Sequence, residues 1–343
     1  MPDNKFKLTP QVNISRATTV RMWLVIFCTF LAVMQSAAGD SGASLLVAFT
    51  TLITAVMVEL LLTYSRHGFG KIKDGSAAVS ALVLALLLPH DIRPMYAAMG
   101  AAFAVVVVKY SFGGLGSNWL NPALGGWLFV RLAWPLAFAG TLESPGAYSP
   151  ESASVTDQAV GGFLNRVVLP FFDAELPVGY IDLFSLNTPG IIADRAGLAI
   201  VFGICLLVAF QVSRSWLSIL YLAVFGLLVR MLGALPVSGA WWNGDVIYAM
   251  LSGGTLVAAF ILIADPSSGA KSTLGKALLV VVAAVLGVIF RFFGNAFYGC
   301  FLAVALANTL APLLCKAERM LLYAANEGLD STEGLASEGD GRD

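Results

Sequence analysis

The chain has 343 residues, 58% of them hydrophobic and only 12% charged. A water-soluble domain carries about 25% charged residues, so this composition excludes an ordinary soluble fold. The net charge of −1 gives no electrostatic footing for nucleic acid as a partner. Cys28, Cys205, Cys300 and Cys315 lie in or beside apolar runs with no C-x-x-C spacing, and His67 and His90 fall in different loops. These argue against internal disulfides and against a metal site, and the thiols read as buried apolar groups.

Residues 1–18 are polar and basic and read as a cytosolic tail, not a cleavable signal. Ten apolar spans follow at about 20–38, 44–64, 76–89, 95–111, 119–139, 196–213, 216–235, 246–265, 274–293 and 297–316. Most approach the roughly 20 residues that a helix needs to cross a bilayer. Two do not reach it. Segment 76–89 is stopped by Pro89, and segment 252–266 runs from Gly253-Gly254 to Asp265-Pro266. Both are predicted to be short or broken helices. The fold class expected is an all-α polytopic membrane protein with about ten transmembrane helices.

The two short segments resemble each other. Each is followed by an apolar helix, then a basic residue and Phe-Gly: Lys109-Tyr-Ser-Phe112-Gly113 in one half and Arg291-Phe-Phe293-Gly294 in the other. Asparagines and a last helix close each half. Five spans reverse the direction of entry, so the halves are expected to be inverted, the plan in which interrupted helices of transporters meet near the midplane. The expected organisation is a tail at 1–18, a first five-helix repeat at 19–139, a loop at 140–195, a second repeat at 196–319 and a disordered tail at 320–343. Basic residues set the orientation. Lys5, Lys7, Arg66, Lys71, Lys73, Lys109, Arg214, Lys271, Lys276 and Lys316 fall on one side, whereas the opposite loops keep Arg93, Arg166 and Arg195. Both termini are expected in the cytoplasm, with the 140–195 loop outside.

That loop carries Asp182-Leu-Phe-Ser185-Leu-Asn-Thr188-Pro189. The Thr188 hydroxyl can accept a phosphoryl-linked group, and Pro189 biases Thr188 toward an extended, presented conformation. On spacing alone the expected reading is an ordinary turn threonine, since S-x-x-T-P in a loop is common. Elsewhere, Gly253 and Gly254 permit close approach of backbone or ligand, and broken helix ends expose groups that hold ions. Glu59 stands inside an apolar helix, where a charge is costly. It can snorkel, pair with a partner protein or line a cation path. Asn121 and Asn308 can line the same path or make interhelical hydrogen bonds, and Asp265 reads as an interface cap. Arg131, Arg230 and Arg291 fall in the outer parts of helices. The tryptophans gather near span ends as an interfacial belt.

Three stretches resemble the RnfD/NqrB family, and RnfD more closely: residues 74–89, the run Phe112-Gly-Gly-Leu-Gly-Ser-Asn-Trp-Leu-Asn121-Pro122-Ala-Leu-Gly-Gly126, and Ser252-Gly-Gly-Thr-Leu with Asp265-Pro266. The resemblance runs from about residue 20 to 320. It implies a fold like that of urea transporters and a place in the bacterial inner membrane. It also implies a flavin transferase that joins FMN through its phosphate to the threonine of a D-x-x-S-x-A-T-P-like motif. Asp182, Ser185, Thr188 and Pro189 match that motif, and Asn187 replaces its usual small residue. The arginines then become candidates for a phosphate or for the negative charge of reduced flavin.

The function this implies is that of the RnfD-like membrane subunit in an Rnf-type complex, which passes electrons between NADH and ferredoxin and moves Na⁺ or H⁺. The chain has no dinucleotide fingerprint and no iron–sulfur cysteine set, so iron–sulfur and flavin subunits are the expected partners, with membrane lipid around it. A second, noncovalent flavin such as riboflavin is compatible with the resemblance. The alternative is a urea-transporter-like channel or transporter with no redox role.

Overall fold

A computed structural model describes residues 16–67, 75–111, 118, 120–141, 154–172, 177, 179–184, 190–212, 214–233, 241–265, 272–295, 297–313, 316 and 320. The expected tails lie almost wholly outside these residues. Helix α1 (Arg16–Gly39) and α2 (Ala43–His67) form an antiparallel pair. The reversal is held by Asp40, whose carboxylate accepts from the N–H groups of Gly42 at 3.2 Å and Ser44 at 3.0 Å. Next come α3 (Ser76–Leu87), α4 (Pro94–Phe103), which widens into a π-helical stretch over Ala104–Tyr110, and α5 (Pro122–Ala133). A short 3-10 turn, Pro135–Thr141, follows.

Helix α6 (Val155–Phe163) belongs to the connecting segment and passes into further turns up to Phe172. The second half contains α7 (Gly197–Ala209), α8 (Ser215–Leu232), α9 (Val246–Leu251), α10 (Thr255–Val257) with a π-helical stretch Ala258–Leu262, and α11 (Thr273–Phe292). A last apolar helix, α12, spans Gly299–Leu313.

Four helices are long and apolar enough to cross a bilayer: Thr19–Gly39, Ala43–Thr63, Ser215–Leu232 and Thr273–Phe292. Ser76–Leu87, Pro94–Tyr110 and Gly299–Leu313 are apolar but shorter. Among the described residues there is no strand, only an isolated bridge between Pro89 and Ile191. The protein is thus a helical, multi-pass membrane protein.

Both expected breaks are present. Helix α3 begins after Gly75, which is left-handed at φ 74°, and stops where Leu88 turns extended before Pro89. Its residues Ala81 to Leu87 are all buried. A helix apolar all round belongs inside the bundle, and α1 and α2 cover this one. In the second half, left-handed Gly253 and Gly254, at φ 64° and 62°, separate α9 from α10. The π stretch after α10 closes an i→i−5 bond, Ile263 N–H to Ala258 O at 2.9 Å. The Ala259 carbonyl in that turn accepts instead from the buried Ser218 hydroxyl at 2.8 Å. An asparagine turn precedes the last helix of each half, directly before α5 in the first and four residues before α12 in the second. Asn121 Oδ1 accepts from Ala123 N–H, and Asn295 Oδ1 accepts from Phe297 N–H, both at 3.0 Å.

Candidate functional site

Ser185, Thr188 and Pro189 lie outside the described residues. The stems on either side of them lie within. Upstream, the buried Asp157 carboxylate accepts from Gly179 N–H at 2.7 Å and Ile181 N–H at 2.8 Å. Asp182, 2% exposed, accepts from Ser154 N–H at 2.9 Å and from the Ser154 hydroxyl. The Tyr180 hydroxyl donates to Asp245, and burial followed by that carboxylate pushes its phenol upward. Downstream, the N–H groups of Ile192 and Ala193 reach the Leu88 and Leu86 carbonyls at 3.0 Å. These carbonyls at the end of α3 have no partner within the helix, and the loop supplies one.

One side chain ties both stems. Gln35 of α1 donates Nε2–H to the Phe184 carbonyl at 3.0 Å and accepts Ala199 N–H on Oε1 at 2.6 Å. Gly190, at φ 126°, packs so closely on Phe297 that an added Cβ would lie 2.8 Å from the ring.

Beyond Phe297 stands an aromatic wall. Trp127, Phe138, Tyr298 and Phe301 are buried and meet at 5.6 to 6.4 Å between ring centroids. Arg131, in the last turn of α5, donates to the Tyr298 hydroxyl at 2.6 Å.

The remaining site candidates fall into two buried clusters. Glu59 is 3% exposed and pairs with Lys109 Nζ at 2.5 Å. Lys109 also donates to Ser76 Oγ, at the start of α3, and Tyr110 OH donates to Glu59 at 3.0 Å. The sequence pattern groups Lys109 with loop charges, yet it is buried: the π stretch ending at Tyr110 keeps it inside the bundle. The same pattern places Arg291 near the outer part of its helix. It too is buried, and donates to Ser252 O at 2.7 Å, Ser252 Oγ at 2.6 Å and Thr255 Oγ1 at 2.9 Å. A basic side chain therefore meets the start of the short helix in each half.

Gly254 N–H donates to Asp194 Oδ1 at 2.8 Å, joining the second cluster to the downstream stem. Burial raises Asp194 to about 7, against the pull of the Gly254 N–H, Arg291 and the Gly253 N–H. Asn121 Nδ2 donates to Asp265 at 2.7 Å, which links the two halves. Asn308 is 2% exposed, with its Nδ2 unbonded among the described residues. Asn121, Asn308 and the two glycines are thus not gathered around Glu59 by any described hydrogen bond. Cys28 and Cys300 are buried as expected, whereas Cys205 is exposed on α7.

Gln35, Ser154, Asp157 and Tyr298 carry parts of this geometry without figuring among the sequence candidates. Three have visible signals. Gln35 is a lone amide in an apolar helix, and Ser154-Val-Thr-Asp157 has capping-box spacing. Tyr298 has none.

The sequence profile of the NQR2, RnfD, RnfE family matches residues 5–321. The chain is 26% identical over 316 residues to the D subunit of the proton-translocating ferredoxin:NAD(+) oxidoreductase complex of Clostridium ljungdahlii, covering 90% of this chain and 92% of the relative. It is 26% identical over 334 residues to the D subunit of the Na(+)-translocating ferredoxin:NAD(+) oxidoreductase complex of Acetobacterium woodii, covering 94% and 98%. The B subunit of the Na(+)-translocating NADH-quinone reductase of Pseudoalteromonas atlantica is 29% identical over 308 residues, covering 88% of this chain and 70% of the relative. The chain belongs to the NQR2, RnfD, RnfE family.

Proposed function

We propose that this chain is the RnfD-like membrane subunit of an Rnf-type electron-transport complex and that Thr188 carries FMN through a phosphoester. The observation that carries the reading is similarity to two complex D subunits over nine-tenths or more of each chain. The pinned stems add support, because Phe184 and Gly190, which flank the motif in the sequence, are each held against the helical body. The surroundings also fit a flavin: the Phe297 ring stands against Gly190, the next residue Tyr298 belongs to the aromatic wall, and Arg131 uses two of its five N–H groups among the described residues.

When bound, a flavin supplies a relay that takes electrons singly or in pairs. The chain's own residues would fix and tune it. Asp157, Asp182 and Gln35 hold the stems, and the aromatic wall limits water on one side. Iron–sulfur and flavin subunits would supply the other carriers between NADH and ferredoxin, and a flavin transferase would attach the FMN. Glu59 is the leading residue for a Na⁺ or H⁺ path, with Asn121, Asn308, Gly253 and Gly254 as further candidates. A noncovalent flavin such as riboflavin is an additional occupant of the same reading.

The architecture proposed is ten spans in two inverted five-helix halves, 19–139 and 196–319, like urea transporters. The Lys109 and Arg291 contacts with Ser76 and Ser252 favour it, as do the i→i+2 asparagine turns at Asn121 and Asn295 ahead of the last helix of each half. Both termini would face the cytoplasm and the 140–195 loop the outside of a bacterial inner membrane.

The test is co-expression with a flavin transferase, followed by denaturing electrophoresis and in-gel fluorescence. The wild-type band fluoresces and Thr188→Ala, at equal protein, does not. A dark wild-type band contradicts the redox assignment and favours a transporter.

A further inference from the structure

We propose that Arg131, held in place by Tyr298, is the electrostatic partner of the flavin ring and sets the potential at which that ring is reduced. The inference rests on the reading of Thr188 given above and adds the ring's docking site to it.

The geometry starts from the tether. Gly190 lies against Phe297, and the next residue, Tyr298, is 5% exposed. Its hydroxyl accepts from Arg131 at 2.6 Å. A second Arg131 N–H reaches the Pro135 carbonyl at 3.3 Å. The guanidinium stacks 4.7 Å from the Tyr298 ring centroid and 5.3 Å from that of Phe138. Two of its five N–H groups are thereby used, on a side chain that is half-buried. Among the described residues no carboxylate pairs with Arg131, the only ion pair there being Glu59–Lys109. The side chain is therefore fixed by two hydrogen bonds and two rings, cationic and, among the described residues, without a carboxylate partner, on the tyrosine next to the Phe297 against which Gly190 packs.

A flavin ring meets that need in one redox state more than the other. Reduction by two electrons from the iron–sulfur or flavin carriers of partner subunits, with one proton from water, forms one N–H bond. It leaves the ring with one added negative charge. A guanidinium at hydrogen-bonding distance stabilises that charged form over the neutral oxidised form and so raises the potential. Arginine suits the task because its planar fork can face a ring edge with two parallel N–H bonds. A lipid phosphate offers Arg131 similar anionic oxygens, and is the competing occupant.

The test is an equilibrium redox titration of the flavinylated chain in lipid nanodiscs, followed by flavin absorbance, with flavin stoichiometry measured on the same samples. Wild type is compared with Arg131→Gln, Arg131→Lys and Tyr298→Phe. Arg131→Gln is expected to carry full flavin while its reduced form loses about tenfold in relative stability. For a two-electron couple this is a midpoint about 30 mV more negative. Arg131→Lys keeps the charge and shifts less, and Tyr298→Phe shifts in the same direction. Equal midpoints in wild type and Arg131→Gln, at full flavin, overturn the proposal and leave Arg131 to lipid. Should Arg131→Gln fail to accumulate, an unshifted Tyr298→Phe overturns it. A wild-type chain with no titratable flavin overturns the earlier reading as well, and is told apart by its empty stoichiometry.

Discussion

Lys109 and Glu59 form a buried pair inside an apolar bundle, and their value lies in each other. Removing one partner strands a charge and costs about 3–5 kcal/mol. Lys109→Met is expected to lower the thermal midpoint of the purified chain sharply, and adding Glu59→Gln should recover part of the loss. A double variant no better than the single one would contradict the pairing. Glu59→Gln alone tests the ion path: cation-dependent turnover of the assembled complex slows while flavin content stays normal. Unchanged ion dependence removes Glu59 from the path. The cost of a charge in lipid makes Glu59 stand out in the sequence. Its partner does not, because Lys109 precedes a Gly-rich run and resembles a loop residue; only the π stretch after α4 shows it inside.

At the scale of elements, the broken helices are legible in the sequence and the clasp on the stems that flank residues 185–189 is not. Proline after 88 and paired glycines at 253 and 254 are backbone signals that act locally, so they fix where α3 ends and α10 begins. The clasp joins residues far apart in the chain: Gln35 reaches Phe184 and Ala199, 149 and 164 positions away. No local pattern encodes such a pairing. Its importance is open to a direct check. Gln35→Leu strands the Phe184 carbonyl and the Ala199 N–H, and each unsatisfied group costs about 1–3 kcal/mol. Limited proteolysis between 184 and 190 should then accelerate, and flavin occupancy should fall. Cleavage at the wild-type rate, with full occupancy, would show that the other stem contacts suffice. Asp182 changes meaning in the same light. In the sequence it belongs to a motif read by a transferase, whereas in the structure its carboxylate is buried on Ser154, where it braces the stem from inside.

For the molecule as a whole, hydropathy announces a helical membrane protein, and the family match agrees. Four helices meet the full length for a span, and the shorter Ser76–Leu87 owes its length to left-handed Gly75 at one end and extended Leu88 at the other. The halves meet where Asp194 takes the N–H that starts α10 and where neighbouring loop residues close the end of α3. Residues 192–194 therefore bridge the end of α3 and the start of α10, a few positions along the chain from the proposed attachment residue Thr188. Everything in that account depends on the modification itself. Intact-mass measurement of the chain from cells containing its flavin transferase, with peptide mapping, tests it most directly. The account predicts one FMN phosphoester per chain, on Thr188. An unmodified mass, or a flavin mapped to another residue, would contradict it.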